Sequence, residues 1–336
     1  MKKYLAVVLA ALITTAFFVG CSPKEKEDDE SVKTGLAIIT TLNKSKNAED
    51  GTGVAEANST VVAVTVDNDG KIVKCAIDAA QTKINFSDEG RITTPLNTVF
   101  KTKNELKEDY NMKGNSGIGK EWYEQAAAFA EYAAGKTVDD IEGIAVDEGR
   151  HPTDADLKST VTIAIGDFIE GVRKAVNNAK NMGAKGSDKL GLGIVTSIAK
   201  SDDAGDDDGL AQIYSTYAAM TTGANGKITS CALDASQSEV NFDRSGVITT
   251  DINISPKTKN ERGDEYGMKG ASGIGKEWYE QANAFAEYVI GKSANEVDGI
   301  AVNDGGNPTE NDLKSSVTIT IGDFKDVIKK ASQNAK

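Results

Sequence analysis

Hydrophobic and polar residues alternate along several stretches of the chain, and this period of two predicts β-strands. Residues 61–66 and 72–77 alternate on either side of the turn sequence DNDG at 67–70. The sequence GANG at 223–226 occupies the corresponding turn in the second half of the chain. An Asx-Gly pair between two apolar runs is typical of a β-hairpin.

The same alternation recurs near the end of each half of the chain. Apolar residues two apart precede an aspartate that begins a helical pattern: Val161, Ile163 and Ile165 before Asp167, and Val317, Ile319 and Ile321 before Asp323. We therefore expect a strand that leads into the closing helix of each half.

A different spacing, of three and four residues, marks a helix with one packed face. It joins Ile118, Trp122, Ala126, Phe129, Ala130 and Ala133, and Gly135 follows as the expected C-cap. Strands and helices together predict an α+β fold with a mainly antiparallel sheet and helices packed against one face.

The chain contains an internal repeat. The segment KTKNELKEDYNMKGNSGIGKEWYEQAAAFAEY at 101–132 returns as KTKNERGDEYGMKGASGIGKEWYEQANAFAEY at 257–288, an offset of 156 residues without gaps. This pattern indicates a tandem duplication. We expect one domain at 33–181, a linker at 182–189 and a second domain at 190–336.

The N-terminus has the pattern of an exported lipoprotein. Two lysines precede an apolar run, which predicts a signal peptide at 1–20. The sequence FVGC at 18–21 resembles a bacterial lipobox, with Phe18 where leucine is usual, and this resemblance implies that Cys21 is lipidated. Residues 21–32 are polar and charged, so we expect a disordered tether after the lipid. A plain signal peptide cleaved nearby is the alternative.

The amino-acid composition limits the partners, metal sites and catalytic residues that the chain can have. Lys and Arg number 38 against 51 Asp and Glu, a formal net charge of −13, which argues against nucleic acid as a partner. One histidine and three cysteines leave little for zinc sites, histidine catalysis or disulfides. His151 corresponds to Asn307, so a role shared by both halves does not depend on it. We predict no catalytic residue and no metal site, and we expect Cys75 and Cys231 to be small core residues.

Two further features have a functional and a plainer interpretation. Residues 114–120 and 270–276 have the glycine and lysine spacing of a phosphate loop, but Glu121 and Glu277 stand where magnesium needs Ser or Thr. We interpret them as flexible helix starts, and an anion on their N–H groups is the alternative. We expect the adjacent tryptophans to be core residues, with Tyr123 and Tyr279 stacking on a planar cofactor as a secondary hypothesis. The acidic run 201–209 is predicted to be a solvated loop rather than a calcium site.

The element that suggests specific chemistry is DLKSTVT at 156–162, repeated as DLKSSVT at 312–318. Its spacing resembles the flavinylation signal of FMN-binding domains, which include subunits of the sodium-pumping quinone reductase and the Rnf complex. A lipoprotein with two such copies also resembles the flavinylated lipoproteins of Gram-positive extracellular electron transfer. The sequence departs from the family at Thr160-Val161 and Ser316-Val317, where Gly or Ser and then Ala are usual.

The resemblance implies that a flavin transferase joins two FMN groups, as phosphoesters, to Thr162 and Thr318. The remaining motif positions would be Asp156, Asp312, Ser159 and Ser315, with Lys158 and Lys314 offsetting the phosphate charge. Such a protein would lie on the outer face of the cytoplasmic membrane. It would pass electrons from a membrane quinone or NADH dehydrogenase system to an extracellular electron acceptor.

Other interpretations remain open at this point. Thr153 and Asp156 also fit a T-x-x-D capping box, as do Thr309 and Asp312, and Ser159 and Ser315 would then only finish a turn. The different functional class is a non-redox surface lipoprotein that binds a ligand or another protein. Its leader would also be able to yield a secreted peptide signal.

Overall fold

The computed structural model describes residues 30–336. The predicted signal peptide, Cys21 and nearly all of the predicted tether lie outside these residues. Within them, no helix is long and apolar enough to cross a membrane.

The first half, repeat 1, begins with four strands and continues with helices. The strands are β1 (Ser31–Thr41), β2 (Lys46–Glu49), β3 (Thr52–Val66) and β4 (Ile72–Ser87). The helices are α1 (Lys103–Leu106), α2 (Trp122–Ala133), α3 (Val138–Glu142), α4 (Ala155–Lys158) and α5 (Gly166–Asn177), with 3₁₀ turns at Lys107–Tyr110 and Lys113–Asn115.

The second half, repeat 2, follows the same order after strand β5 (Lys180–Lys185). Its strands are β6 (Lys189–Ser197), β7 (Gly209–Thr222) and β8 (Ile228–Phe242). Its helices are α6 (Lys259–Arg262), α7 (Trp278–Tyr288), α8 (Ala294–Asp298), α9 (Asn311–Lys314) and α10 (Gly322–Gln333), with a 3₁₀ turn at Gly263–Tyr266.

All pairings between these strands are antiparallel. In the first sheet β3 pairs with β4, β1 and β2, and β1 pairs in addition with β5. The second sheet has the order β6-β7-β8. Sheets of this kind with packed helices confirm the α+β expectation. Residues 182–189, expected as a linker, instead contain the end of β5 and the start of β6.

The predicted hairpin is present, and its strands are longer than the alternation indicated. The Asp67 Oδ1 atom accepts hydrogen bonds from the backbone N–H groups of Asp69 (3.0 Å) and Lys71 (2.8 Å). Gly70 has a φ of 82°, a conformation that glycine adopts without strain. Local turn chemistry therefore fixes the β3–β4 register.

Each sheet packs helices on one face. The faces alternate along β3: Val62 and Val64 face α2 and α5, whereas Val61 and Ala63 face the other repeat. Helix α5 approaches β1 closely at Gly35, where an added Cβ would lie 1.9 Å from the Ala175 carbonyl oxygen. The corresponding Cβ at Gly191 would lie 2.0 Å from the Ala331 carbonyl oxygen, so both repeats pack their last helix in the same way.

The other faces of the two sheets pack against each other. Two hydrophobic cores contain residues of both repeats, and in one of them the Phe86 and Phe242 rings stack with centroids 4.2 Å apart. Backbone bonds between the repeats are reciprocal, from Ala48 N to Gly246 O (2.8 Å) and from Ala204 N to Gly90 O (2.7 Å). Such pairing is that of a pseudo-twofold, isologous interface. The division into two separate domains stays a prediction.

Two expectations about secondary structure differ from the structure. The helix at α2 is confirmed, but Ile118 lies in the turn before it. The strands expected at 161–165 and 317–321 are wrong, because both segments are irregular loops. Val161 N bonds to Leu157 O (2.8 Å) and Ile165 N to Arg150 O (2.9 Å), so no neighbouring strand pairs with the segment. The apolar residues alternate there in the sequence without a sheet.

Candidate functional site

The motif aspartate, lysine and first hydroxyl lie at the end of the short helix α4. Asp156, Lys158 and Ser159 are exposed. The Ser159 hydroxyl donates to the Asp156 carbonyl (2.7 Å), and the Thr160 hydroxyl donates to the Leu157 carbonyl (3.1 Å). Ser159 therefore finishes the turn, which is the plainer of its two expected roles.

The counterparts in repeat 2 have the same arrangement. Asp312, Lys314 and Ser315 are exposed, and the Ser315 hydroxyl donates to the Asp312 carbonyl (3.0 Å). In both repeats the first motif hydroxyl therefore donates its hydrogen bond to a backbone carbonyl of the short helix.

The T-x-x-D capping box is not formed. Asp154 caps α4 instead, because its Oδ1 accepts from the backbone N–H groups of Asp156 (3.0 Å) and Leu157 (3.1 Å). The Thr153 hydroxyl donates to the Ala145 carbonyl (3.1 Å). The Asp156 carboxylate is consequently left at the surface rather than used as a cap.

Thr162 lies in the loop after α4 and is held by a buried glutamine of α2. The Gln125 Oε1 atom accepts from Thr162 N (2.7 Å), Thr162 Oγ1 (3.3 Å) and Ile163 N (3.2 Å). Gln125 is 0% exposed, whereas Thr162 is half-buried. The backbone of the threonine is therefore fixed while its side chain stays near the surface.

Repeat 2 reproduces this contact. The Gln281 Oε1 atom accepts from Thr318 N (2.8 Å) and Thr318 Oγ1 (3.2 Å), and Gln281 is also 0% exposed. The two threonines singled out in the sequence thus occupy equivalent positions on equivalent supports.

The nitrogen of the Gln125 side-chain amide contacts the glycine-rich loop. This Nε2 atom donates to Ser116 Oγ (3.1 Å) and to the Lys120 carbonyl (3.2 Å). One side chain therefore bridges the loop at 114–120 and the threonine loop. The corresponding Gln281 donates to Ser272 Oγ and the Lys276 carbonyl at the same distances, 3.1 and 3.2 Å.

Glu121 makes the glycine-rich loop a poor place for a phosphate. Its carboxylate is 4% exposed and accepts from the backbone N–H groups of Met112 (2.8 Å) and Lys113 (2.9 Å). A buried carboxylate that closes the loop onto itself would repel a phosphate. Glu277 does the same with Met268 and Lys269.

A cleft of about 440 Å³ opens in repeat 1 just beyond the threonine loop. Ala164, two residues after Thr162, forms part of its wall together with Asp167. Burial raises the pKa of Asp167. The remaining lining mixes cations, a carboxylate, amides and apolar groups, among them Lys44, Lys46, Lys103, Glu56, Asn58, Gln81 and Trp122.

Lys103 of α1 lines this cleft and lies over two aromatic rings. Its Nζ atom lies over the Tyr110 ring, 4.6 Å from the centroid, and over the Trp122 ring, 5.0 Å from the centroid. The α1 helix that carries it is started by a capping box between Thr102 and Glu105. The lysine is thereby held against aromatic faces at the cleft edge.

The same place in repeat 2 is filled. Tyr214 stands where repeat 1 has Asn58, and its hydroxyl accepts from the Lys259 Nζ atom (3.1 Å). Lys259 is only 5% exposed, and burial lowers its pKa to about 8. Burial likewise raises the pKa of Tyr214.

Sequence reasoning did not identify Gln125, Gln281, Lys103 or Lys259. A signal for the glutamines was present: each is a polar residue on the apolar face of α2 or α7, identical in both repeats. The lysines gave no such signal, because only the fold brings α1 and α6 beside Trp122 and Trp278.

The aromatic pair next to the glutamine separates as expected into core and surface. Trp122 is 6% exposed and packs edge-on against Phe168, with centroids 5.8 Å apart. The Tyr123 hydroxyl donates to Glu108 Oε1 (3.0 Å) at the surface. Trp122 as a core residue is confirmed, and stacking by Tyr123 stays a prediction.

The remaining nucleophilic and titratable candidates have ordinary surroundings. Cys75, which is partly buried, and Cys231, which is buried, are free, and burial raises the pKa of each thiol to about 12, which disfavours the nucleophilic thiolate. The His151 Nδ1 atom lies 3.1 Å from Asp147 Oδ1 on an exposed turn. Residues 30–336 contain no cluster of side chains that would hold a metal ion.

Comparison with known proteins adds little. No family model matches the chain, and no solved structure matches it. A segment of 41 residues is 54% identical to part of the chlorophenol reductase of Desulfitobacterium hafniense. The match covers 12% of this chain and 12% of that protein, so it carries no activity over.

Proposed function

We propose that this chain is a lipid-anchored electron carrier with one FMN joined to Thr162 and a second joined to Thr318. In this proposal it consists of two tandem copies of an FMN-binding-type domain. The observation that carries the proposal is the matched placement of the two threonines. Each is half-buried at the same position of its repeat, next to a fully buried glutamine.

The hydrogen bonds suit a threonine whose hydroxyl is to be esterified. A carbonyl-type oxygen has two lone pairs, yet Gln125 Oε1 accepts three donors, and the Thr162 hydroxyl is the most distant of them at 3.3 Å. Replacing that hydroxyl hydrogen by phosphorus leaves the bonds from Thr162 N and Ile163 N in place. The loop therefore keeps its position after modification.

The attachment reaction needs FAD and the flavin transferase. The Thr162 oxygen forms a bond to the FMN phosphorus of FAD, the pyrophosphate P–O bond breaks, AMP leaves and the hydroxyl proton is released. Lys158, exposed at the end of α4, would reduce the cost of the new phosphate charge. Thr318 and Lys314 take these roles in repeat 2.

The bound cofactor would supply the redox chemistry, since a flavin takes up two electrons and passes them on singly. The protein would contribute attachment, position and exclusion of water by the packed α2 and α7 faces. No catalytic acid or base is required. A phosphoester prevents loss of FMN to the medium, and a lipid on Cys21 would keep the carrier on the outer face of the cytoplasmic membrane.

The partners follow from this role. The membrane quinone or NADH dehydrogenase system would reduce the carrier, and an extracellular electron acceptor would oxidise it. The acidic surface, with a formal net charge of −13, favours cationic or neutral acceptors over polyanions.

A second candidate is a non-redox surface lipoprotein that binds a small ligand. The open cleft in repeat 1 favours it, because a pocket of about 440 Å³ is within the usual range for small-molecule sites. This candidate predicts a colourless protein, whereas the electron carrier is yellow.

Peptide mass spectrometry of protein produced together with the flavin transferase tests the proposal. We expect one FMN on the peptide with Thr162 and one on the peptide with Thr318. Thr162→Val and Thr318→Val should each remove one FMN. Thr160→Val is the matched control, because its hydroxyl is bonded to the Leu157 carbonyl and should not be the attachment site. Unmodified threonines, with a transferase active on another substrate, would contradict the proposal.

A further inference from the structure

The two repeats share a lysine and a tryptophan, and several positions around this pair differ between them, among them the position of Asn58. Lys103 and Lys259 lie over Trp122 and Trp278, at 5.0 and 4.9 Å from the ring centroids. Beside this shared pair, repeat 1 has Asn58. Repeat 2 has Tyr214 there, at the offset of 156 residues.

In repeat 2 the tyrosine provides a hydrogen-bond acceptor for the lysine. The Lys259 Nζ atom donates to the Tyr214 hydroxyl at 3.1 Å and lies 4.6 Å from the centroid of the same ring. The cation thus has an oxygen acceptor and an aromatic face from one side chain. Its exposure is only 5%.

In repeat 1 the asparagine turns elsewhere. The Asn58 Nδ2 atom donates to Glu56 Oε1 at 2.9 Å. The Lys103 Nζ atom has aromatic neighbours but no hydrogen-bond acceptor within the part of the chain that the structure describes, 30–336. The cleft of about 440 Å³ lies against both residues.

We propose that the cleft of repeat 1 binds a planar aromatic ring with a carbonyl or phenolate oxygen at its edge. The ring takes the place that the Tyr214 phenol has in repeat 2, and its oxygen accepts the hydrogen bond from Lys103. Trp122 and Phe168 provide apolar wall. The lining has three lysines (Lys44, Lys46 and Lys103) against two carboxylates (Glu56 and Asp167), a balance that favours a ligand with a single negative charge. Repeat 2 binds no such ligand because its own side chain fills the place.

Two sources supply this chemistry: a diffusible quinone or phenol, and the flavin ring of an FMN on Thr162. Ala164 of the cleft wall is two residues from that threonine. The inference therefore deepens the proposed function by naming what repeat 1 binds. It rests on the comparison of the repeats and is tested first on protein without flavin, so the two proposals can fail separately.

The test uses the two tryptophans of the chain, one beside each lysine. Protein made without the flavin transferase is titrated with 1,4-naphthoquinone-2-sulfonate or with riboflavin. In Trp278→Phe the remaining emission comes from Trp122, and we expect saturable quenching. In Trp122→Phe the emission comes from Trp278, and we expect only the linear quenching of random collisions.

The decisive step is to exchange residues 58 and 214 between the repeats. Asn58→Tyr, in the Trp278→Phe protein, should close the cleft and weaken binding by about tenfold or more. Tyr214→Asn, in the Trp122→Phe protein, should create saturable quenching of Trp278. Lys103→Met should weaken binding like Asn58→Tyr, and circular dichroism checks that each variant is folded.

Flavinylated protein then distinguishes the two sources. If the tethered flavin fills the cleft, the quinone no longer quenches Trp122 saturably, and Thr162→Val restores the effect. If a diffusible ring is the ligand, the quinone titration is the same with and without flavin. Either result supports the ring site. Equal, linear quenching of both tryptophans, or no effect of Asn58→Tyr in a folded protein, would overturn it.

Discussion

The two repeats hold their threonine with the same kind of hydrogen bonds but surround their lysine differently. Gln125 and Gln281 hold Thr162 and Thr318 through the same bonds, within about 0.1 Å. By contrast, Lys103 faces an open cleft, whereas Lys259 is buried against Tyr214. The two repeats thus share the support of this threonine and differ in its surroundings. Two flavins on this chain would experience different electrostatic environments.

The largest expected effect tests what the repeats share. Gln125→Leu and Gln281→Leu should each lower the free energy of unfolding by about 2–4 kcal/mol, because each leaves several backbone groups of two loops without partners. Urea denaturation measures this. Asn283→Leu, at an exposed site of the same helix as Gln281, is the control and should change stability by less than about 0.5 kcal/mol. Unequal effects of the two glutamines would break the equivalence of the supports.

Buried aspartates at the α1 and α6 turns give a pH-dependent comparison. Burial raises the pKa of Asp78 to about 6 and that of Asp234 to about 7. Because the pKa of each carboxyl is higher in the folded than in the unfolded protein, the protonated carboxyl stabilises the fold. This stabilisation is complete below about pH 4 and is lost as the pH rises through 6 to 7.

Replacing these aspartates should therefore stabilise the protein at pH 8. Asp78→Asn and Asp234→Asn retain an oxygen for the N–H groups of Ala79 and Ala235, and we expect gains at pH 8 of up to about 3 kcal/mol for Asp78→Asn and about 4 kcal/mol for Asp234→Asn. At pH 4 the gain should vanish. Thermal melts across this range, with a gain that did not depend on pH, would count against burial as the cause.

A smaller effect sharpens the difference between the lysines. Tyr214→Phe removes the acceptor of the buried Lys259 and should cost about 1–2 kcal/mol. The loss should also move the pKa of Lys259 further below about 8, since the charged form loses its hydrogen bond. Tyr110→Phe, beside Lys103, is the comparison variant and should cost less, because the tyrosine contacts the lysine through its ring face and its hydroxyl makes only a long hydrogen bond to Gln81 Oε1 (3.4 Å).

The smallest effect tests the pseudo-twofold. Lys174 pairs with Glu261, and Lys330 pairs with Glu105 across the interface at 2.7 Å. Lys174→Met and Lys330→Met should each cost about 0.5 kcal/mol, and 1 M salt should remove most of that cost. A clear inequality between the two variants would show that the interface is less symmetric than its contacts.

Sequence patterns predicted the parts of the fold that depend on neighbours in the chain. The hairpin at 67–70 and the packed helix at 122–133 follow from turn residues and helical spacing, and both are confirmed. The segment 161–165 has the alternating apolar residues of a strand, but its supporting partner is the side-chain amide of Gln125, which produces no periodic pattern in the sequence. The β1–β5 pairing is equally long-range.

The residues of the candidate site also divide into those that the sequence revealed and those that only the fold revealed. Thr162 and Thr318 were evident from the repeated motif, whereas their glutamines lie 37 residues away in sequence. The difference between Asn58 and Tyr214 was visible when the repeats were aligned. Its meaning depended on the fold, which places that position of the sheet beside a lysine of α1 or α6.

The mass of intact protein from cells that contain the flavin transferase tests the central claim most directly. We expect a mature chain that carries two FMN groups, reduced to one by Thr162→Val or Thr318→Val and to none by the double variant. A mature chain of unmodified mass, isolated from cells in which the transferase modifies its other substrates, would contradict it.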